Sequence, residues 1–376
     1  CAYHLAEMGA NVALCEHSVI GAGASGRNGG FCSAGWAAGL DQITRLVGPV
    51  VSKELELIGA DGLKWMRARA FSAKYAKVQP ISGIISLGLR RCKTKINSRL
   101  DETELKGFVV GPRYKWGEIY NEAFHFHPLN FLKIFSQEVV GHGVKVFENT
   151  GAVQVNGTEV YFSNGDRISA DRMIWAAGGY SIGKNSILKK FLLPIQTFIC
   201  VTSPMPKILE RHIPTKMALG DDRRAGNYFR RLPDDRLLWG MGVSALSQRS
   251  VDSIKRMGWK NIKAHFPAMM EEMKRDNIKF DYAWSGLMAY ASHFMPYVGK
   301  LSDRESILSG FGGHGMNTAP IAGKRMALFL NGDPNILDPF LEIPRRNIFG
   351  LIGRLVAEFE YRRLSAIDYI AENYGI

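Results

Sequence analysis

The stretch HLAEMGANVALCE, His4 to Glu16, constrains the fold of this chain more than any other. Cys1 to Met8 carries an apolar face through Ala2, Leu5 and Ala6, and Gly9 stands where a helix C-terminal cap belongs. Asn11 to Cys15 reads as a short buried strand that ends in an acid, Glu16. Helix, glycine, strand and acid, in that order, form the second half of a βαβ unit. In units of this kind that bind a dinucleotide, a glycine-rich turn lies about 20 residues before the acid. Counting back from Glu16 runs off the start of the chain. The expectation is an N-terminally truncated sequence that lacks its first strand and GxGxxG turn.

The length of 376 residues suits two domains. No run reaches the roughly 18 uncharged apolar residues of a membrane span, so no integral membrane segment is expected. Five cysteines, Cys1, Cys15, Cys32, Cys92 and Cys200, are scattered with no CxxC pair. That pattern predicts reduced thiols in a cytoplasmic protein and no zinc site. The net charge of +13 is spread along the chain, without a basic arm carrying interleaved aromatics. It reads as a solvated surface and an anionic cofactor or substrate; no nucleic-acid partner is expected.

Along the chain two compositions alternate. Helical periodicity runs from about Asp41 to Ala76, and Pro80 to Gly88 reads as a strand with a turn. Leu129, Leu132, Phe135, Val139 and Val140 mark an amphipathic helix closed by Gly141 or Gly143. Asn156-Gly157 and Asn164-Gly165 are hairpin turns, and RMIWAAGGY is a buried strand entering a glycine pair. Strands dominate from Pro194 to Tyr290, around one helix at Val251 to Arg275. From Ile307 the pattern returns to strand, glycine-rich turn and helix, and Ile348 to Tyr374 is an amphipathic helix read as packing on the body rather than lying on a membrane. The expected class is α/β: a Rossmann-type domain at 1–76, 119–193 and 301–376, interleaved with an antiparallel-sheet α+β domain at 77–118 and 194–300.

Four segments carry chemistry. Glu16, at a strand end, suits the two hydroxyls of a ribose. GAGASG, Gly21 to Gly26, matches GxGxxG but follows the acid-ending strand and precedes no helix, so it is a loop whose glycines admit a planar ligand. WAAGGY, Trp175 to Tyr180, lets backbone pass close under a nucleotide. GFGGHGMNTAP, Gly310 to Pro320, clusters glycines before a helix whose N-terminal N–H groups would favour negative charge on a flavin, with Met316 and Asn317 nearest the ring.

Together with HPLNF, FENT, YFR, LLWGMG and MPYVGKL, these segments occur in an order that resembles the FAD-dependent D-amino-acid-oxidase-like (DAO) superfamily. Within it the likeness is to the gamma-glutamylputrescine oxidase and glycine/sarcosine oxidase groups. The resemblance implies a glutathione-reductase-like FAD domain and a substrate domain built on an antiparallel sheet. It implies non-covalent FAD, a small amine or amino-acid substrate, hydride transfer to flavin N5, imine hydrolysis, and reoxidation by oxygen to hydrogen peroxide. By the resemblance, Glu16 is the ribose acid. Ser25, Arg27, Asn28 and Gly29 lie near ring and diphosphate, and Val153 meets adenine. Gly178 is the second dinucleotide turn, and Gly313, His314, Gly315, Met316 and Asn317 cover the pyrimidine side. Three other readings stand beside the oxidase: a dehydrogenase of the same fold that passes electrons to a carrier, a catalytically decayed binding module and, from the charge, a nucleic-acid-modifying oxidase.

Three residues are catalytic candidates. Tyr228 and Arg230 share a strand face; Arg230 is either a fork for a substrate carboxylate or a solvent-facing arginine. His314 is either a general base for the substrate amine or a loop residue. Trp284, Met288 and Tyr290 alternate on one strand, as core or as an aromatic wall. His125 and His127 lack a third metal ligand, and no metal is expected.

Overall fold

The computed structural model describes residues 1–90, 98–156, 159–180, 188–223, 226–246 and 248–374. Cys92 and Gly157, the second half of one expected turn, lie outside the described residues. The chain divides into two units, each discontinuous: 1–79, 127–195 and 287–353 in the first, 80–126, 196–286 and 354–376 in the second.

The first unit is α/β. Strand Ala13–Cys15 pairs in parallel with Lys145–Phe147, and Met173–Trp175 pairs in parallel with Glu305–Ser309. Tyr297–Lys300 lies antiparallel on the far side of Glu305–Ser309. Helix Pro128–Gly141 starts at His127, whose ring accepts from Asn130 N, and it stops just before Gly143, at φ +88°. The Gly315–Leu330 helix and the long Leu40–Ala70 helix bury Ile43, Leu55, Ile58, Ile321 and Met326 in one core with Trp36 and Phe340. A three-stranded meander spans Ala152–Asn156, Glu159–Phe162 and Arg167–Ser169.

In the second unit, Ile81–Gly88 lies between Ala218–Asp221 and Trp116–His125, and Tyr228–Arg231 lies between Ala218–Asp221 and Leu237–Ser244. Leu193–Thr202 pairs with Leu237–Ser244. One sheet face is covered by helices Val251–His265 and Pro267–Arg275, with Phe229, Trp239, Phe266 and Met269 in a core that excludes water. The Phe229 and Trp239 rings stack 4.6 Å apart.

Several expectations are corrected. The opening strand is not buried: Ala13 and Cys15 are exposed, because among the described residues its only ladder is the one to Lys145–Phe147. Met173–Trp175 is half-buried rather than buried. A single helical turn, Ala24–Arg27, does follow the Gly21 loop. The Leu40 helix breaks at Gly48, at φ +80° ahead of Pro49. The expected single helix at Val251–Arg275 is two, since Pro267 cannot continue the first and instead starts the second. The sheet of the second unit is mixed, not antiparallel throughout: Ala218–Asp221 runs parallel to Ile81–Gly88. The tail helix is Leu351–Tyr374, and from Arg354 it groups with the second unit, not the first. No helix among the described residues is long and apolar enough to cross a membrane.

Candidate active site

The glycine-rich segments of the first unit meet one another, and they meet so closely that side chains would not fit. A Cβ on Gly23 would stand 3.3 Å from the Tyr180 ring, and Tyr180 Oη accepts a hydrogen bond from Leu287 N at 3.3 Å. A Cβ on Gly179 would lie 2.9 Å from Met288 O. Gly312 N donates to Ala289 O at 2.9 Å, and Tyr290 forms a β-bridge with Phe311. Gly312 (φ +57°) and Gly313 (φ +83°) adopt left-handed backbone. A Cβ on the first would fall 2.7 Å from Ala37 Cβ and 2.9 Å from the Tyr290 ring. On the second it would meet Met288 Sδ at 3.1 Å and Tyr290 Oη at 3.3 Å. Glycine is required here on both counts, close approach and positive φ.

The helix that follows, Gly315–Leu330, begins after His314 with no side-chain cap. Asn317 does not cap it: it is 1% exposed, and its amide donates to Gly35 O at 3.0 Å and Gly59 O at 3.3 Å. Thr318 Oγ1 donates backward to His314 O. Side chains therefore leave the first-turn N–H groups, with the positive end of the helix dipole, for an anionic or electron-rich ligand. His314, Gly315 and Met316 are half-buried there. Burial lowers the pKa of His314 below that of ordinary imidazole, so the ring is neutral near pH 7.

The Gly21 loop is closed on itself. Arg27 Nε donates to Ala22 O at 2.6 Å. Asn28 Nδ2 donates to Ala24 O at 3.0 Å and Ser25 O at 2.8 Å, while its Oδ1 accepts from Gly30 N at 2.8 Å. Asn28 thus acts as the staple of the loop, with Ser25 inside the helical turn and Gly29 next to the staple. Glu16 extends the ladder by donating its N–H to Phe147 O at 2.8 Å, and its Oε1 accepts from Ser18 N at 2.9 Å. Glu148, one position past the neighbouring strand, accepts from Ile20 N at 2.7 Å; it was not singled out from sequence. Val153 is 47% exposed at a register shift in the meander, and Gly178 (φ +54°) opens a turn into free space.

Tyr228 and Arg230 belong to the second unit. The Tyr228 ring lies across Gly240, its cross-strand partner, where a Cβ would come within 2.0 Å of it. Its hydroxyl is hydrogen-bonded to Thr197, and burial raises its pKa to about 12. Ile199, Val201, Leu238 and Trp284 pack around it. Arg230 is neither solvent-facing nor an open fork. It is 4% exposed, donates to His125 Nδ1 at 3.2 Å and to Phe126 O at 3.0 Å, and burial lowers its pKa to about 10. His125 Nε2 donates to Lys216 O at 2.8 Å, which makes Nδ1 the acceptor; burial and Arg230 hold its pKa near 3. Among the described residues no three metal-ligating side chains gather.

A family model described as "DAO: FAD dependent oxidoreductase" matches residues 1–328. The chain belongs to this family. It is 28% identical over 382 residues to "Probable oxidoreductase OrdL" of Haemophilus influenzae, covering 95% of this chain and 85% of that protein. It is 26% identical over 361 residues to gamma-glutamylputrescine oxidoreductase of Escherichia coli, covering 91% of this chain and 83% of that protein. Among solved structures, glycine oxidase from Geobacillus kaustophilus superposes with TM-score 0.68 at 13% identity, covering 92% of this chain and 95% of the other. The fold is that of the DAO flavoenzymes, and the protein is an FAD-dependent oxidoreductase. The residues present fit the cofactor: a glycine turn in left-handed backbone, an uncapped helix N-terminus, and a carboxylate at a strand end with one oxygen engaged by Ser18.

Proposed function

We propose that this DAO enzyme oxidises the C–N bond of a small amine or amino acid, of the gamma-glutamylputrescine type, with oxygen as electron acceptor. The observation that carries the reading is the convergence of Gly23, Gly179, Gly312 and Gly313 on Tyr180, Met288 and Tyr290 beside an uncapped helix. The 26% identity to a gamma-glutamylputrescine oxidoreductase supports the substrate class. Glu16 would hold the ribose hydroxyls, and Val153 the adenine. Ser25, Arg27, Asn28, Gly29 and Gly178 would flank the diphosphate and ring, and Gly313, Gly315, Met316 and Asn317 would offer backbone to the pyrimidine end. Bound without a covalent link, FAD supplies a two-electron acceptor for the hydrogen on the carbon beside the substrate nitrogen.

The chain's own residues prepare that step. An ammonium cannot give up hydride until it has lost a proton, and neutral His314 offers an unprotonated ring nitrogen to take it. Tyr228, protonated at neutral pH, offers a fixed O–H donor to the substrate. Arg230, held by neutral His125, supplies positive charge to the same sheet face for an acidic substrate group. The imine product hydrolyses in water to an aldehyde or keto acid. The four described cysteines are free thiols, in keeping with a cytoplasmic setting.

The test is a peroxide-coupled screen of the FAD-supplemented protein against polyamines, gamma-glutamylated polyamines, sarcosine, glycine and D-amino acids. Peroxide released with a gamma-glutamylated amine is expected. Turnover with a quinone but not with oxygen would refute the acceptor, and silence with every amine would refute the reaction class.

A further inference from the structure

Among the described residues, six that are not glycine take left-handed backbone: Gln79, Asn149, Asp235, Asn277, Phe294 and Phe349. Asparagine and aspartate visit that region readily, whereas a phenylalanine there is strained. Phe349 stands in the open, 69% exposed. Phe294, at φ +63°, lies in the first unit four residues after Tyr290, and its surroundings over-determine it. Its own N–H donates to Ala291 O at 3.0 Å. His293 before it is 3% exposed, and burial keeps that ring neutral, with a pKa of about 4. The His293 Nδ1 accepts from Met295 N at 3.1 Å, so Nε2 is the donor, to Pro344 O at 3.1 Å. The His293 carbonyl accepts from Gln42 Nε2 at 3.3 Å, and Met295 is fully buried.

What this strain secures is a ring contact. The Phe294 and Tyr290 rings meet edge to face, with centroids 5.6 Å apart and planes at 81°. Tyr290 in turn walls the glycine turn: it bridges to Phe311, and its ring and hydroxyl stand beside the places where Gly312 and Gly313 lack a Cβ. Phe294 and Phe311 pack against the same core. A glycine at 294 would take the backbone at no steric cost, so the ring is what phenylalanine supplies there. We propose that Phe294 is a positioning residue for the cofactor: its ring fixes the Tyr290 ring against Gly312 and Gly313, and so holds the turn's backbone in the shape that receives the flavin. This rests on the reading of that turn as an FAD contact, and it adds a residue outside the glycine-rich segments.

The test compares Phe294→Gly, Phe294→Ala and Phe294→Tyr in the full chain by FAD titration, thermal melting, and hydrogen–deuterium exchange of the Gly310–Asn317 peptide without FAD. The glycine and alanine variants should bind FAD equally, about fivefold more weakly than wild type, the order that an aromatic pair is worth. Both should exchange faster in Gly310–Asn317. The glycine variant should melt higher than the alanine variant, because glycine sheds the left-handed penalty that alanine keeps. A merely structural role would instead make affinity follow Tm. Phe294→Tyr, which keeps the ring, should bind FAD as wild type does. Wild-type affinity in Phe294→Gly, or affinities that track Tm across the variants, would overturn the proposal. A wild type that binds no FAD would refute the cofactor reading itself. Exchange in the FAD-free chains reports on Phe294 separately: rates in Gly310–Asn317 that match wild type in both the glycine and alanine variants overturn its positioning role.

Discussion

Replacing Gly312 by alanine tests the cradle with a built-in control. Gly312 and Gly350 have nearly the same backbone, φ +57° and +56°, so an alanine at either meets the same left-handed penalty, about 1–2 kcal/mol. Their surroundings differ. Nothing lies within 4 Å of a Cβ on Gly350, whereas on Gly312 it would strike Ala37 Cβ at 2.7 Å and the Tyr290 ring at 2.9 Å. Ala37 Cβ is fixed to backbone and cannot swing away, so overpacking adds about 1–3 kcal/mol. Gly312→Ala should therefore destabilise by about 2–5 kcal/mol and Gly350→Ala by about 1–2 kcal/mol. Gly313→Ala falls between, since Met288 Sδ and Tyr290 Oη are ends of side chains that can yield. Urea unfolding gives the stability order, and flavin fluorescence titration gives the FAD affinity of each variant. Only the 312 and 313 variants should lose affinity, by tenfold or more. Equal stability of the Gly312 and Gly350 variants, or wild-type FAD affinity in Gly312→Ala, would refute the reasoning.

Gly240→Ala should push the Tyr228 ring off its seat, raising KM more than it alters stability, which should fall by about 1–3 kcal/mol; steady-state kinetics beside thermal melts would check this. The kcat/KM profile should lose activity as pH falls through the lowered pKa of His314, on a limb below about pH 6.5 that is absent in His314→Gln. His125 and His265, buried and neutral with pKa values of about 3 and about 4, bind protons only when the chain unfolds. Stability is then full above about pH 6.5 and falls with acidification, by about 1.4 kcal/mol per pH unit for each ring until the folded pKa is reached. Melting from pH 7 to 4 should show the slope, and His265→Gln should flatten it. Asn317→Ala, which strips the Gly35 and Gly59 carbonyls of a buried donor, should destabilise by about 1–3 kcal/mol in urea unfolding.

The backbone of the candidate site was legible in the sequence because glycine advertises backbone demands. The Gly310–Gly315 cluster before an apolar helix announced a strand, turn and open helix N-terminus, and Gly312 and Gly313 indeed carry positive φ. The position of Glu16 at its strand's end was legible because the order helix, glycine, strand and acid is itself informative. Side-chain direction was less so. Alternation placed Met288 and Tyr290 on one face of a strand, but only the fold shows that this face meets Gly313 and that Tyr180 joins it. Asn317 sat at the right helix terminus, yet its amide is used to tie down Gly35 and Gly59, a long-range partnership that no local pattern encodes. The tail makes the same point. Periodicity revealed its two faces and not which one the protein would use, because the buried Glu358 site is built from Ser244 and Ala245, more than a hundred residues away.

Hydrogen–deuterium exchange of the full chain with and without added FAD tests the central claim most directly. The account predicts slowed exchange in three separate peptides at once: Glu16–Gly30, Trp175–Tyr180 and Gly310–Asn317. Saturating FAD that leaves these peptides unchanged, or that protects a different part of the first unit, would contradict it.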